Sequence, residues 1–118
     1  MDRTSQTERD NSRIGCILSC CTQIGETVQR FGDSYEAFEK DRMYHNACAF
    51  CIYQIAEQAG NLSESFRAER TEINWQEIRK MQDLVSDPFA GINLPAAWTA
   101  IKEEIPVLRD FCEKYLDE

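Results

Sequence analysis

Apolar residues recur along this chain at spacings of three and four, which is the pattern of one face of an α-helix. The first stripe comprises Ile14, Ile17, Leu18, Cys21, Ile24, Val28 and Phe31. The second stripe comprises Tyr44, Cys48, Cys51, Ile52, Ile55, Ala59 and Leu62. The spacing therefore predicts two long amphipathic helices, the first starting near Asn11.

The second half of the chain repeats this pattern in two shorter segments. One segment carries Trp75, Ile78, Met81, Leu84 and Val85. The other carries Trp98, Ile101, Ile105, Leu108, Phe111 and Tyr115. Alternation of the kind that predicts a β-strand is missing over any useful length. The pattern predicts an all-α fold, a four- to five-helix up-and-down bundle.

Turn and capping residues place the helix boundaries. Asp33 and Glu36 have the spacing of a capping box for the second helix, and Asn74 is a candidate N-cap for the third. Residues 67–72 are polar and predict a loop between them. Pro106 lies inside the last stripe, so this helix is predicted to be kinked or split there.

Length and charge limit the functions that the chain can have. Its 118 residues, 42% of them apolar, are enough for one domain, 1–118, with a flexible terminus expected over residues 1–10. The 13 Lys and Arg against 21 Asp and Glu give a net charge of -8, which opposes binding to a phosphate backbone. DNA is therefore not an expected partner, and RNA contact should be weak or absent. No apolar run approaches the roughly 20 residues that span a bilayer, so a cytoplasmic protein is expected.

Cysteines supply the first candidate chemistry. Because no export signal is visible, we expect all six to be reduced thiols. His45, Cys48 and Cys51 are each three residues apart, so one helix face could offer three zinc ligands, or a redox-sensing pair. No matching second ligand pair is visible elsewhere, and a His45–Cys48 nucleophile lacks an orienting third group. Burial as small apolar side chains is the simpler interpretation.

A set of short runs carries a family resemblance. The runs are Asp41–Tyr44, Gln54–Ser63, Asn74–Ile78, Gly91–Asn93, Trp98 and the later Ile105–Leu108. In this order and at these spacings, over roughly Ile14 to Leu116, the chain resembles the HepT-like branch of the HEPN superfamily.

The resemblance implies a helical homodimer with a ribonuclease site in the cleft between its protomers. In such a site an Arg stabilises developing phosphate charge and a His transfers protons, so that the ribose 2′-OH attacks phosphorus without a metal or cofactor. The resemblance also implies a partner. This is a minimal nucleotidyltransferase antitoxin, which silences the toxin by attaching AMP to a Tyr just after the His.

The family motif aligns without a gap on residues 81–92, and its reactive positions differ in this chain. Gln82 stands at the Arg position, Asp83 follows it, Asp87 stands at the His position and Phe89 at the Tyr position. Glutamine carries no charge, aspartate repels a phosphate, and phenylalanine has no hydroxyl to accept a nucleotide. We expect these residues to mark the place of a catalytic site that no longer works, with the AMP modification lost.

Charged residues near the motif leave a second possibility open. Asp83 and Asp87 lie four apart and could join Glu57 across a dimer to hold a divalent metal, although a solvated helix end is the simpler interpretation. Arg42 and Glu57 match charged positions that line the cleft in the family. We expect them to form an ion pair within or between protomers.

The sequence thus favours a degenerate HepT-like ribonuclease of a toxin–antitoxin type system, acting as a dimeric protein-interaction module. An active ribonuclease toxin that cleaves RNA in the same cleft is the alternative, and a helical zinc or redox-sensing protein is a second. Trp75 and Trp98 are expected to anchor the core, since each lies on an apolar stripe.

Overall fold

The computed structural model describes residues 3–87 and 91–118, with side chains from residue 5 onward. Within these residues the chain forms seven α-helices and one π-helical turn, and no β-strand. The helices are α1 (Arg3–Phe31), α2 (Tyr35–Lys40), α3 (Arg42–Gly60), α4 (Glu64–Glu69), α5 (Trp75–Val85), α6 (Leu94–Thr99) and α7 (Ile105–Leu116). The π-helical turn, Ala100–Glu104, joins α6 to α7. The predicted all-α fold is confirmed.

Helix α3 holds the bundle together, because it packs against both α1 and α5, while α7 packs against α1. The apolar stripes of these helices meet in one continuous core. Its largest fully buried side chains are Tyr44, Phe38, Ile14, Ile17, Ile24, Ile52, Ile55 and Leu108. Burial of each large aliphatic side chain contributes about 1.5–3 kcal/mol. None of the described helices combines the length and apolarity needed to cross a bilayer.

The first helix begins at Arg3 rather than near Asn11, where the apolar stripe predicted its start. Asp10 explains the difference, because its side chain is only 6% exposed. Its carboxylate accepts hydrogen bonds from the backbone N–H of Ser63 at 2.9 Å and from the Ser63 hydroxyl at 2.7 Å. The hydroxyl of Tyr115 also donates to Asn11. These contacts hold the early turns of α1 against the rest of the bundle.

The predicted second helix is divided into α2 and α3. Asp41 adopts an extended backbone between them, and its carboxylate caps α3 by accepting from Met43 N at 2.9 Å. The cap of α2 is Ser34, which accepts from Ala37 N at 3.2 Å, so the predicted Asp33 box is wrong by one residue. A polar side chain preceding each segment therefore starts two helices where the apolar pattern predicted one.

The predicted polar loop is partly helical. Helix α4 runs to Glu69, and its N-cap Ser63 accepts a hydrogen bond from Phe66 N at 3.2 Å. Phe66 is buried against Trp75, with a ring-centroid distance of 5.9 Å. One buried aromatic residue is enough to dock this short helix, although it makes no periodic stripe.

Pro106 divides the last segment as predicted. It lies in the first turn of α7, where its missing N–H removes the hydrogen bond to the carbonyl of Lys102. The preceding π-helical turn absorbs this break in the hydrogen-bond ladder.

Candidate functional site

An open groove of about 410 Å³ lies between α3 and α5. It is lined by Ala56, Glu57, Gly60, Asn61, Gln76, Arg79, Lys80, Gln82 and Asp83. Three of the residues predicted to mark the site, Glu57, Gln82 and Asp83, are thus brought together from two helices that are distant in sequence. We call this feature the α3–α5 groove.

Helix α5 presents Gln82 and Asp83 to the groove because its opposite face is anchored. Trp75, Ile78 and Met81 are buried against the core. The side chain of Asn74 caps the helix, accepting from Glu77 N at 3.2 Å, as predicted. Gln82 follows the buried Met81 and is half-buried at the groove edge.

Gln82 contacts Glu57 directly. Its Nε2 donates to Glu57 Oε2 at 3.2 Å, which joins α5 to α3 inside the groove. The amide is neutral, so it does not offset the negative charge of Glu57 or that of the exposed Asp83 beside it. The amide of Gln82 could donate a hydrogen bond to a phosphate here, but the carboxylates of Glu57 and Asp83 repel the charge of the phosphate.

Arg42 lies elsewhere on the same molecule. It is the first residue of α3 and is exposed, fifteen residues before Glu57, or roughly 22 Å along the helix axis. Within one chain these two residues therefore cannot pair, and the groove of a single protomer is without Arg42.

Asp87 lies beyond the end of α5, in a turn. Its backbone carbonyl accepts from Gly91 N at 2.9 Å, and Gly91 has a positive φ of 71° that favours glycine. The chain then returns to α5, because Asn93 N donates to the carbonyl of Leu84 at 2.7 Å. Asp87 does not line the groove, which therefore holds only Gln82 and Asp83 of the three motif positions. Phe89 lies outside the described residues.

Two cations that sequence reasoning missed also line the groove. Arg79 precedes Gln82 by about one turn of α5, and Lys80 precedes it by two residues. A Cβ built on Gly60 would lie 3.3 Å from Arg79 Nε, so the missing side chain of Gly60 makes room for this guanidinium at the end of α3. Lys80 Nζ is 4.0 Å from Glu77 Oε1, a loose exposed pair. The sequence did place Arg79 and Lys80 just before Gln82, and this closeness could have indicated that they belong to the same site.

The proposed zinc ligands do not form a centre. Among the residues that the structure describes, no group of three or more His, Cys, Asp or Glu side chains is placed to hold a metal ion. His45 Nδ1 is 3.0 Å from the carbonyl of Phe38, and Cys48 is fully buried. Burial raises the pKa of the Cys48 thiol to about 12, which keeps it protonated and opposes a role as ligand or nucleophile.

The two tryptophans pack into the core, as predicted. Trp75 is buried, and its indole N–H donates to the carbonyl of Arg70 at 2.8 Å. Trp98 is half-buried, 5.2 Å from Phe38 between ring centroids, with Lys102 Nζ 5.6 Å from its ring. Neither indole lines the α3–α5 groove.

Comparisons with known proteins identify a family and two relatives. The profile of the family described as "Ribonuclease HepT-like" matches residues 7–115. A Thermococcus cleftensis protein named "Probable ribonuclease HepT" is 29% identical over 80 residues, which are 68% of this chain and 73% of that protein. A Methanocaldococcus jannaschii protein, named as a gamma-glutamylcyclotransferase and provisionally as an RNase, is 31% identical over 64 residues, or 54% of this chain and 29% of that protein. No solved structure matches.

Proposed function

The chain belongs to the HepT-like ribonuclease family, and on that premise we propose that it is a dimeric protein-interaction module that no longer cleaves RNA. The hydrogen bond between Gln82 and Glu57 carries the proposal. The Arg position of the motif is held by Gln82, whose neutral amide already donates to a carboxylate. Without a cation there, charge developing on a phosphate is not stabilised.

An exposed apolar face on α3 supports the dimer. Met43 is 74% exposed, Phe50 64% and Tyr53 39%, although large apolar side chains are usually buried. At about 100° per residue these three side chains share one face of the helix with Ala47 and Glu57. This face lies next to the α3–α5 groove, because Glu57 belongs to both.

The α3 face is complementary to a second copy of itself. If two α3 helices pair antiparallel about a two-fold axis at Phe50, Arg42 lies eight residues before the axis and Glu57 seven residues after it. Both residues are on the same edge of the face, so Arg42 of each copy meets Glu57 of the other. The dimer then adds a cation to each groove rim and covers the exposed rings.

A charge-exchange experiment tests this dimer. Sedimentation equilibrium should show a dimer for the natural chain and weaker association, by about tenfold or more, for Arg42→Glu and for Glu57→Arg. The double variant Arg42→Glu/Glu57→Arg should recover it, because the pair is restored with its signs exchanged. Lys114→Glu, an equal charge change on exposed α7, is the control and should leave association unchanged. A double variant no better than the single ones would contradict the pairing.

An active ribonuclease toxin is the alternative, and the cations of the groove are the observation that favours it. Arg79 and Lys80 line the same groove as Gln82 and could bind the phosphate in place of the missing arginine. Growth arrest on expression, relieved by Arg79→Ala, would favour this alternative over the silent module.

The proposed partner is a minimal nucleotidyltransferase, and the proposed compartment is the cytoplasm. The partner rests on the family resemblance alone, and the compartment on six free thiols. We expect such an enzyme to form a complex with this chain on size exclusion without adding AMP at Phe89, which has no hydroxyl. An intact-mass increase that maps to residue 89 would contradict this expectation.

A further inference from the structure

A second groove, of about 250 Å³, lies between the start of α5 and α7. Its floor is apolar and is formed by Ile73, Ile78, Val107 and Leu108. Val107 is 58% exposed, so it leaves apolar surface open to solvent at the edge of the groove. The groove shares no lining residue with the α3–α5 groove. We call this feature the α5–α7 groove.

Carboxylates surround this apolar floor, and they belong to Glu72, Glu77, Glu103 and Glu104. Among the residues whose side chains the structure describes, no lysine or arginine forms an ion pair with Glu72, Glu103 or Glu104. Glu77 has only its loose contact with Lys80. Burial raises the pKa of the Glu104 carboxyl above its usual value, and the charges of Glu77 and Glu103 raise it further. The rim therefore carries negative charge that the chain itself leaves unbalanced.

The α5–α7 groove continues into a neighbouring cavity along α7. That cavity, of about 260 Å³, shares Glu72, Ile73 and Val107 with it. The two cations of the neighbouring cavity already have carboxylate partners, in the pairs Lys114–Asp110 and Arg70–Glu118. Together the two cavities follow roughly 16 Å of α7, which is the length of about five residues of extended chain. The surface is therefore long enough for a peptide segment.

From this arrangement we propose that the α5–α7 groove docks a short basic segment of a partner protein, with an apolar side chain on the floor and lysine or arginine side chains against the rim. Charge complementarity selects this occupant, because the unbalanced carboxylates attract cations. A second copy of the chain, at a net charge of -8, is disfavoured there, and RNA is repelled. The inference goes beyond the function proposed above and does not depend on it, since this groove contains neither a motif position nor a residue of α3.

Fluorescence anisotropy with the full chain tests the docking. The probe is a fluorescein-labelled peptide of sequence KLKKLKKLK, in about 150 mM salt so that long-range attraction is screened. Its control is the peptide KSKKSKKSK, which has the same charge and no apolar side chain. We expect saturable binding of the leucine peptide to the natural chain. The serine peptide should bind about tenfold or more weakly, because it places nothing on the apolar floor.

Variants of the chain locate the binding site. Glu72→Lys/Glu103→Lys should weaken binding of the leucine peptide by about tenfold or more, and Val107→Ser by about threefold or more. Glu8→Lys/Glu26→Lys, at exposed positions of α1, makes the same change in net charge away from the groove and should weaken binding by less than about threefold. Far-ultraviolet circular dichroism confirms the folding of each variant.

Two results would overturn the proposal. Equal weakening by the two double variants would show that the peptide is held by the net charge of the chain alone. Binding of the serine peptide as tightly as the leucine peptide would show that the apolar floor takes no part.

Discussion

Asp10 is a residue whose role depends on a distant partner. It is a buried carboxylate on α1, held by two hydrogen bonds from Ser63, and Ser63 is also the N-cap of α4. Periodicity could not predict this contact, because the two residues are 53 positions apart in the chain. Only the folded structure shows that Asp10, which precedes the first apolar stripe, holds α1 against the start of α4.

Removal of this carboxylate should be costly. Asp10→Ala leaves the partly buried backbone N–H of Ser63 without its partner, so the free energy of unfolding should fall by about 2 kcal/mol. Urea denaturation measures the change, and Glu8→Ala, at an exposed position two residues earlier, should shift stability by less than about 0.5 kcal/mol. Equal effects of the two variants would show that Asp10 has no special role.

The buried thiols make stability depend on alkaline pH. Burial raises the pKa of Cys48 and of Cys112 from 9.0 to about 12, so the native state keeps protons that the unfolded state loses. Where the native state binds more protons than the unfolded state, the free energy of unfolding falls as the pH rises. The thiols contribute fully below pH 9 and lose their contribution as pH rises from 9 towards 12.

We expect the free energy of unfolding to fall by roughly 1 kcal/mol for each such thiol between pH 9 and pH 10. Urea denaturation under argon with a reductant measures the slope. Cys48→Ala should decline less steeply than the natural chain by about that amount, whatever its stability at pH 7. Parallel slopes would rule out a protonated, buried Cys48.

At the candidate site, some of the residues that line the groove were predicted from the sequence and others were not. Glu57, Gln82 and Asp83 were predicted to share a site and do line one groove. Asp87 stands at a motif position in the sequence, but it lies in a turn closed by Gly91 and does not line the α3–α5 groove. Arg79 was missed because a charge on an amphipathic helix normally indicates only its solvent face, and the space made by Gly60 is visible only after folding.

At the scale of elements, apolar periodicity predicted the long helices, and local polar contacts set their ends. Asp41 divides one predicted helix into two because its carboxylate caps α3. Pro106 divides the last one, as its missing N–H predicted. Helix α4 extends into the predicted loop over residues 67–69, because a six-residue helix is too short to show a stripe and Phe66 alone docks it.

The N-terminus of α5 provides a test of how polar contacts set a helix boundary. Asn74→Ala removes the cap that accepts from Glu77 N, so stability should fall by about 1 kcal/mol. Asn74→Asp keeps an accepting oxygen and should retain most of the stability. Thermal denaturation followed by circular dichroism distinguishes them. If alanine and aspartate behaved alike, the cap would not be what starts α5.

At the scale of the whole molecule, the bundle has two adjoining features on α3. One is the exposed face around Phe50, and the other is the α3–α5 groove, with Glu57 belonging to both. A homodimer through this face would place two grooves near one interface, each bordered by Arg42 of the other copy. The composition could not predict this, because the net charge of -8 concerns the whole surface and not its distribution.

The most direct test of the account is an RNA cleavage assay on the purified natural chain beside the double variant Gln82→Arg/Asp87→His, each without and with Mg²⁺ or Mn²⁺. The natural chain should leave RNA intact, and the double variant should cleave it without added metal, because both motif groups are restored on the family scaffold. The single variants Gln82→Arg and Asp87→His are the controls and should remain inactive or nearly so. Cleavage by the natural chain that is lost in Asp83→Asn or Arg79→Ala would contradict the account and show an enzyme with a rebuilt site.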